Sequence, residues 1–215
     1  MQTGSPILDG TYMQKVIQLF PEYTTNDFWS LILCGADLDD PYRGWSGFVA
    51  APIFSDLQPL ELFFGDFPDS LAQYENIPPY RISRDVSRSQ AFSELRSFFE
   101  SISDHPVFVS SNAARWSVPI ITQAVQNSVE GPWNAQIVDL RDLYSITREE
   151  IPLRGTRYLG ELFTQAPPLP KRFGLNAIAS ALDVSVPDSS TKALYRARLT
   201  AEVAVSCLTS QYPLQ

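Results

Sequence analysis

The side chains able to do chemistry in this chain are few and of restricted kinds. Cys34 and Cys207 are its two thiols and His105 its one imidazole. Neither cysteine has a histidine or a basic residue beside it in sequence, so a nucleophilic thiolate is unsupported. Two distant cysteines and a single histidine also exclude a disulfide scaffold and a Cys/His zinc site. Neither a Gly-rich phosphate loop nor a GxSxG elbow occurs. His105 stands in Ser-Asp-His-Pro, which reads as a loop. Carboxylates and guanidiniums remain. Asp37 and Asp39 follow an apolar run in Asp37-Leu-Asp-Asp-Pro41, which also reads as an ordinary turn after a strand. Arg154, Arg157, Lys171 and Arg172 form a basic cluster, suited either to phosphate contacts or to a solvated loop. Arg198 and Glu202 stand at i, i+4 spacing and read as a surface pair.

Charge narrows the partners. The 215 residues carry 16 Lys+Arg against 24 Asp+Glu, a net −8. Residues 1–107 hold 6 basic and 15 acidic side chains, whereas residues 108–215 hold 10 and 9. Proteins that grip polyanions present basic surfaces, and the first half of this chain is the reverse. At 44% hydrophobic residues, with 13 Phe, 9 Tyr and 4 Trp, the chain has material for a packed core and is not of the disordered class. The longest apolar run, Phe28 to Ala36, is about half of the roughly 20 residues a spanning helix needs. The opening MQTGSPILDG lacks the basic and apolar regions of a signal peptide. An intracellular, cytoplasmic protein without membrane association is the expectation.

The elements that must position any site follow from periodicity. Phe28 to Cys34, ending at Gly35, reads as a buried strand, and Gly47 to Ile53 and Leu60 to Phe64 as two more around a hairpin-like Ser55-Asp56. Pro78-Pro79 interrupts the chain. Phe92, Leu95, Phe98, Phe99 and Ile102 share one face of a helix, with Ser89 as its expected cap. Val107 to Val109 is a short strand, Ser117 to Gln126 a helix, and Gln136 to Val138 a strand before Asp139, which could cap the next segment. The proline-rich stretch 148–173 reads as a long connection. Helices Leu175 to Leu182 and about Ser190 to Leu208 close the chain, the last with Ala193, Leu194, Ala197, Ala201, Ala204 and Leu208 facing inward. This order is an α/β layout: a mixed sheet, its first three strands antiparallel, flanked by helices.

That order and three segments within it resemble the DnaQ-like (DEDD) 3′–5′ exonucleases of the ribonuclease H-like fold. The segment LILCGADLDDP is similar to the family's first strand ending in Asp-x-Glu. Pro106-Val-Phe-Val-Ser-Ser-Asn-Ala-Ala-Arg-Trp-Ser117 is similar to its strand followed by His-Asn-Ala-x-Phe-Asp. Gly174 to Asp183, then Thr191-Lys-Ala-Leu-Tyr-Arg-Ala197, is similar to its Leu-x-x-Leu helix and His-x-Ala-x-x-Asp-Ala motif. The resemblance implies an N-terminal extension over residues 1–27 and an exonuclease-like domain over 28–210.

Such enzymes hold two divalent metals on four acids, with a His or Tyr as base. Carried over position by position, the second-motif Asp falls on Ser117, the last-motif Asp on Arg196 and the His on Thr191. Asp37 and Asp39 are the remnant metal-ligand candidates. Pairing Gly35-Ala36-Asp37 with Asp-x-Glu leaves one acid, and pairing Asp37-Leu38-Asp39 leaves two. A permanent guanidinium at Arg196 opposes dications there and could pair instead with Asp37 or Asp39. Asn112, Arg115 and Trp116 fall where the family contacts its substrate strand; Ser117 serves equally as a helix cap and Trp116 as packing. The resemblance therefore implies a catalytically degenerate exonuclease-fold domain acting as a binding or scaffolding module with a protein partner and no cofactor. The alternatives are an active Mg²⁺- or Mn²⁺-dependent exonuclease using Asp37, Asp39 and Asp139 or Asp183, and a non-cleaving single-strand binder using Arg115, Trp116 and the basic cluster.

Overall fold

A computed structural model of the chain describes residues 24–35, 45–65, 67–102, 106–111, 136–141, 143–144 and 174–209. The sheet begins with β1 (Phe28–Gly35), β2 (Trp45–Pro52) and β3 (Leu60–Phe64), each antiparallel to the one before. A two-residue strand, β4 (Ile82–Ser83), adds parallel to β3; β5 (Val107–Ser110) and β6 (Gln136–Asp139) add in parallel on the other side of β1. The strand order is β4-β3-β2-β1-β5-β6. This is the mixed sheet with three antiparallel leading strands that the sequence predicts.

The central strand explains its own composition. Along β1, Trp29, Leu31 and Leu33 pack on one face with α2 (Arg88–Ile102), through its Ala91, Phe92 and Leu95. Phe28, Ile32 and Cys34 pack on the other face, the side of α4 (Lys192–Thr209). A strand covered on both faces reads as an unbroken apolar run, because both sets of alternating side chains are buried. Its one hydroxyl, on Ser30, is satisfied by donating to the Ala51 carbonyl at 3.2 Å. On α4 the predicted inner stripe is buried throughout, from Ala193 and Leu194 to Ala204 and Leu208. Leu175–Ala181 forms α3, whose Ile178 and Ala179 pack with the C-terminal half of α4.

Two local expectations are corrected. Ser87, not Ser89, caps α2: Ser87 Oγ accepts the Gln90 N–H at 3.2 Å, and Gln90 Oε1 accepts the Ser87 N–H at 2.8 Å. This reciprocal pair satisfies two backbone donors, which Ser89, already inside the first turn, cannot do. A further short helix, α1 (Asp69–Glu75), stands between β3 and α2, where no helix was expected. Pro68 precedes it, and Asn76 ends it in the left-handed region with φ 58°. Ile77 N–H then returns to the Ala72 carbonyl at 2.8 Å, closing the end as glycine or asparagine closures do. Seven residues give periodicity too little length to register. Arg84 clamps its start, donating to the Phe67 carbonyl at 2.7 Å and pairing with Asp69. Among the described residues no helix is long and apolar enough to cross a membrane.

Gly47 on β2 stands where the sheet leaves no room for a side chain. A Cβ there would stand 2.6 Å from Phe63 Cδ1, 3.0 Å from Phe67 Cε2 and 3.2 Å from the Leu62 carbonyl oxygen. Gly47→Ala is expected to destabilise the fold by about 2 kcal/mol through overpacking. Urea unfolding of the two proteins measures it, with the midpoint falling and the m-value unchanged.

Candidate functional site

A partly buried polar cluster forms where the C-terminal end of β1 meets α1, β3 and the first turns of α4. Strand alternation turns Glu61 and Phe63 of β3 toward α4, while Leu60, Leu62 and Phe64 turn toward α2. Thr191 precedes the first helical residue of α4 and caps it, its Oγ1 accepting the Leu194 N–H at 3.1 Å. The same hydroxyl donates to Glu61 Oε2 at 2.9 Å. Glu61 Oε1 accepts from Arg81 Nη1 at 3.2 Å, and Arg81 also donates to Ser190 Oγ at 3.2 Å. Both Glu61 oxygens are thereby engaged.

One turn into α4, Arg196 Nη2 donates to Glu75 Oε1 at 2.9 Å. The Glu75 side chain is 5% exposed and that of Arg196 34%. Glu75 Oε2 is buried and has no hydrogen-bond partner among the described residues. The Arg196 charge also acts on the Cys34 thiol at the end of β1. Burial pushes that thiol from its ordinary 9.0 up to about 12; the Glu75 charge adds to the rise and Arg196 opposes it. Cys34 is therefore a protonated, unreactive thiol at neutral pH.

Of the residues picked out by sequence, Thr191 and Arg196 come together here. The partner that the structure places on Arg196 is Glu75. Asp37, Asp39, Asn112, Arg115, Trp116 and Ser117 lie outside the described residues, as do His105, Arg154, Arg157, Lys171 and Arg172. Asp139 does cap the segment after β6: its Oδ1 accepts the Arg141 N–H at 2.9 Å, and its carboxylate takes the Arg141 guanidinium at 3.0 and 2.8 Å. By strand register Asp139 aligns with Ser110, and so with the level of Leu31. That leaves it three residues and two strands from Cys34, roughly 14 Å. Asp183 is exposed, with φ 54°, in the turn that ends α3 beside the C-terminal half of α4. Neither acid joins the cluster at Cys34. Arg198 also departs from expectation, donating to Ser189 Oγ at 3.2 Å rather than pairing with Glu202.

Glu61, Glu75 and Arg81 were not singled out from sequence. Glu61 had a legible signal, a lone charge in the apolar strand Leu-Glu-Leu-Phe-Phe. Glu75 had none, because only the docking of α1 makes it buried.

A two-metal centre needs carboxylate oxygens converging on an open position. The described residues do not fit one: Glu61 and Glu75 each face a guanidinium. Among them no group of three or more His, Cys, Asp or Glu could hold a metal ion. What the cluster does instead is neutralise buried charge by pairing.

No family model matches the chain, and no curated protein does. Solved structures of exonuclease I share its fold. One, an exonuclease I/SSB-Ct complex, superposes with TM-score 0.55 at 14% identity over 84% of this chain and 41% of that one. A moderately thermophilic exonuclease I from Methylocaldum szegediense gives 0.51 at 17% identity over 84% and 39%. A third exonuclease I structure, described for what it suggests about processivity, gives 0.54 at 14% identity over 83% and 40%. The chain has the ribonuclease H-like, DnaQ-like exonuclease fold, and it spans about two-fifths of the length of these proteins.

Removing one partner of a buried ion pair strands the other charge. Arg196→Ala is expected to cost about 3 kcal/mol, the low end for such a loss because the arginine is partly hydrated. Arg196→Met with Glu75→Leu should recover most of it, which a double-mutant cycle in urea measures. Cys34 gives a pH signature. Its folded pKa is raised, so its contribution to stability is full below about pH 9 and is lost as pH climbs toward about 12. Cys34→Ala should flatten that alkaline loss in a stability-versus-pH series.

Proposed function

We propose that this chain is a catalytically silent exonuclease-fold module that works by binding, with residues 28–210 as the module and 1–27 as an extension. The observation that carries this reading is the Arg196–Glu75 pair. The resemblance to the DnaQ-like motif aligns Arg196 with the family's last metal-binding aspartate, and its guanidinium lies against the end of β1, where the first acidic motif follows. A cation that cannot be deprotonated at working pH opposes two dications in that place. Thr191, aligned with the general base, is occupied as a helix cap and as a donor to Glu61, and a hydroxyl so held has no proton-accepting role.

The partner proposed is a protein. The excess of 15 acidic over 6 basic side chains in residues 1–107 repels phosphates, which supports a polypeptide over a nucleic-acid strand. One exonuclease I that shares the fold was solved as a complex with SSB-Ct, which supports a protein as partner. Exposed Tyr80 beside Pro79, and Tyr74 under the Lys192 ammonium at 4.1 Å, offer aromatic contact surface near Pro78-Pro79.

Purified protein incubated with end-labelled single-stranded DNA and RNA, in Mg²⁺ and then in Mn²⁺, tests the silence. The expected outcome is no shortening beyond that given by an Asp37→Ala/Asp39→Ala variant prepared in parallel. Shortening by the native protein alone would overturn the reading and make those carboxylates ligands of a rearranged active site.

A further inference from the structure

We propose that Ser190 is a phosphorylation site and that Arg81 is the receiver of its phosphate. The inference goes beyond catalytic silence and does not depend on it. Ser190 is within reach of a modifying enzyme: it is exposed, and residues 184–189 before it lie outside helix and strand, between α3 and α4. Such a segment can enter another protein's cleft without opening the core.

Three cations stand by this hydroxyl in a chain of net charge −8. Arg81 reaches it from the turn Pro79–Arg81, donating from Nη1 to Ser190 Oγ at 3.2 Å although 109 residues separate the two. Arg198 donates to the adjacent Ser189 Oγ at 3.2 Å, and Lys192, with its ammonium over the Tyr74 ring, begins α4 two residues on. The opposing charges are Asp188, two residues before Ser190, and Glu61, which shares Arg81 Nη1 and also takes the Thr191 hydroxyl. A neutral serine uses little of this. Arg81 meets Glu61 and Ser190 through Nη1 alone, so its Nε and Nη2 have no protein partner among the described residues. A phosphate, with three acceptor oxygens and a charge near −2, is the group that takes such leftover planar donors. If Arg81 turns toward it, Glu61 keeps the Thr191 hydroxyl, so the exchange strands no carboxylate. A kinase supplies the chemistry. Ser190 Oγ loses its proton to a base of that enzyme and bonds to the γ-phosphorus of a nucleoside triphosphate, and the nucleoside diphosphate leaves with the electron pair of the broken P–O bond. The product ties the loop before α4 to the turn beside exposed Tyr80.

The full chain, with Arg81 native or Arg81→Gln, is prepared with serine at position 190 and with Ser190→phosphoserine inserted during translation. The phosphate is expected to raise the Tm by roughly 3 °C beside native Arg81 and by less than half of that in Arg81→Gln. Phosphorus NMR should place its second pKa roughly half a unit or more below the ordinary value of about 6, because a facing guanidinium favours the dianion. A lowered or unchanged Tm, an equal rise in Arg81→Gln, or an unshifted phosphate would overturn the proposal and leave the Arg81–Ser190 bond a structural staple. Should Arg81→Gln fail to fold, the phosphate pKa beside native Arg81 decides. Mass spectrometry of the chain isolated from its own cells, growing and starved, with phosphatases inhibited, is expected to find phosphate on Ser190. Phosphate on Ser189 alone, or on neither serine, in both conditions also overturns it.

Discussion

A strand with no exposed face sets the terms for the rest of the molecule. β1 buries Trp29, Leu31 and Leu33 against α2, and Phe28, Ile32 and Cys34 on the side of α4. Neither helix layer can be omitted, because uncovering one face returns several large apolar side chains to water at about 25 cal/mol per Å². The antiparallel hairpins on one edge and the parallel strands on the other are then ways of pairing the backbone of that strand on both sides. A two-faced cover also means that the end of β1 emerges between packed layers rather than into open solvent.

That emergence is where the polar cluster sits, and its energetics come from the same burial. Charges between packed layers attract more strongly than on a surface, but each also carries a larger desolvation cost. Glu75 and Glu61 are tolerated because Arg196, Arg81 and the Thr191 hydroxyl meet them at 2.9 to 3.2 Å. The charges of this cluster thus meet as ion pairs and hydrogen bonds. Arg196 ties α4 to α1 through Glu75, and its charge acts on Cys34 at the end of β1.

How far sequence carries depends on the range of the interaction. The run from Phe28 to Cys34, the inner stripe of α4 and the antiparallel order of the first three strands were legible, because burial imposes periods of 2 and 3.6 on the residues themselves. Arg196 and Thr191 were singled out from sequence by side-chain type, since type alone separates a guanidinium from a carboxylate. The cap at Ser87 was within reach of the Ser-x-x-Gln pattern, and the weaker Ser89 drew attention from it. By contrast, α1 is too short for its pattern to register, and the identity of the partner of Arg196 could not be had from spacing. Glu75 lies 121 residues from Arg196 in the chain. Nothing local in Asp-Ser-Leu-Ala-Gln-Tyr-Glu marks its last residue as buried.

The sequence by itself therefore determined which side chains are apolar on which face, and hence the strands and the long helices. Tertiary structure alone decided which charges meet. An ion pair is specified by distance in space and by the dielectric around it, and both come from how α1, β1 and α4 pack rather than from any order of residues along the chain.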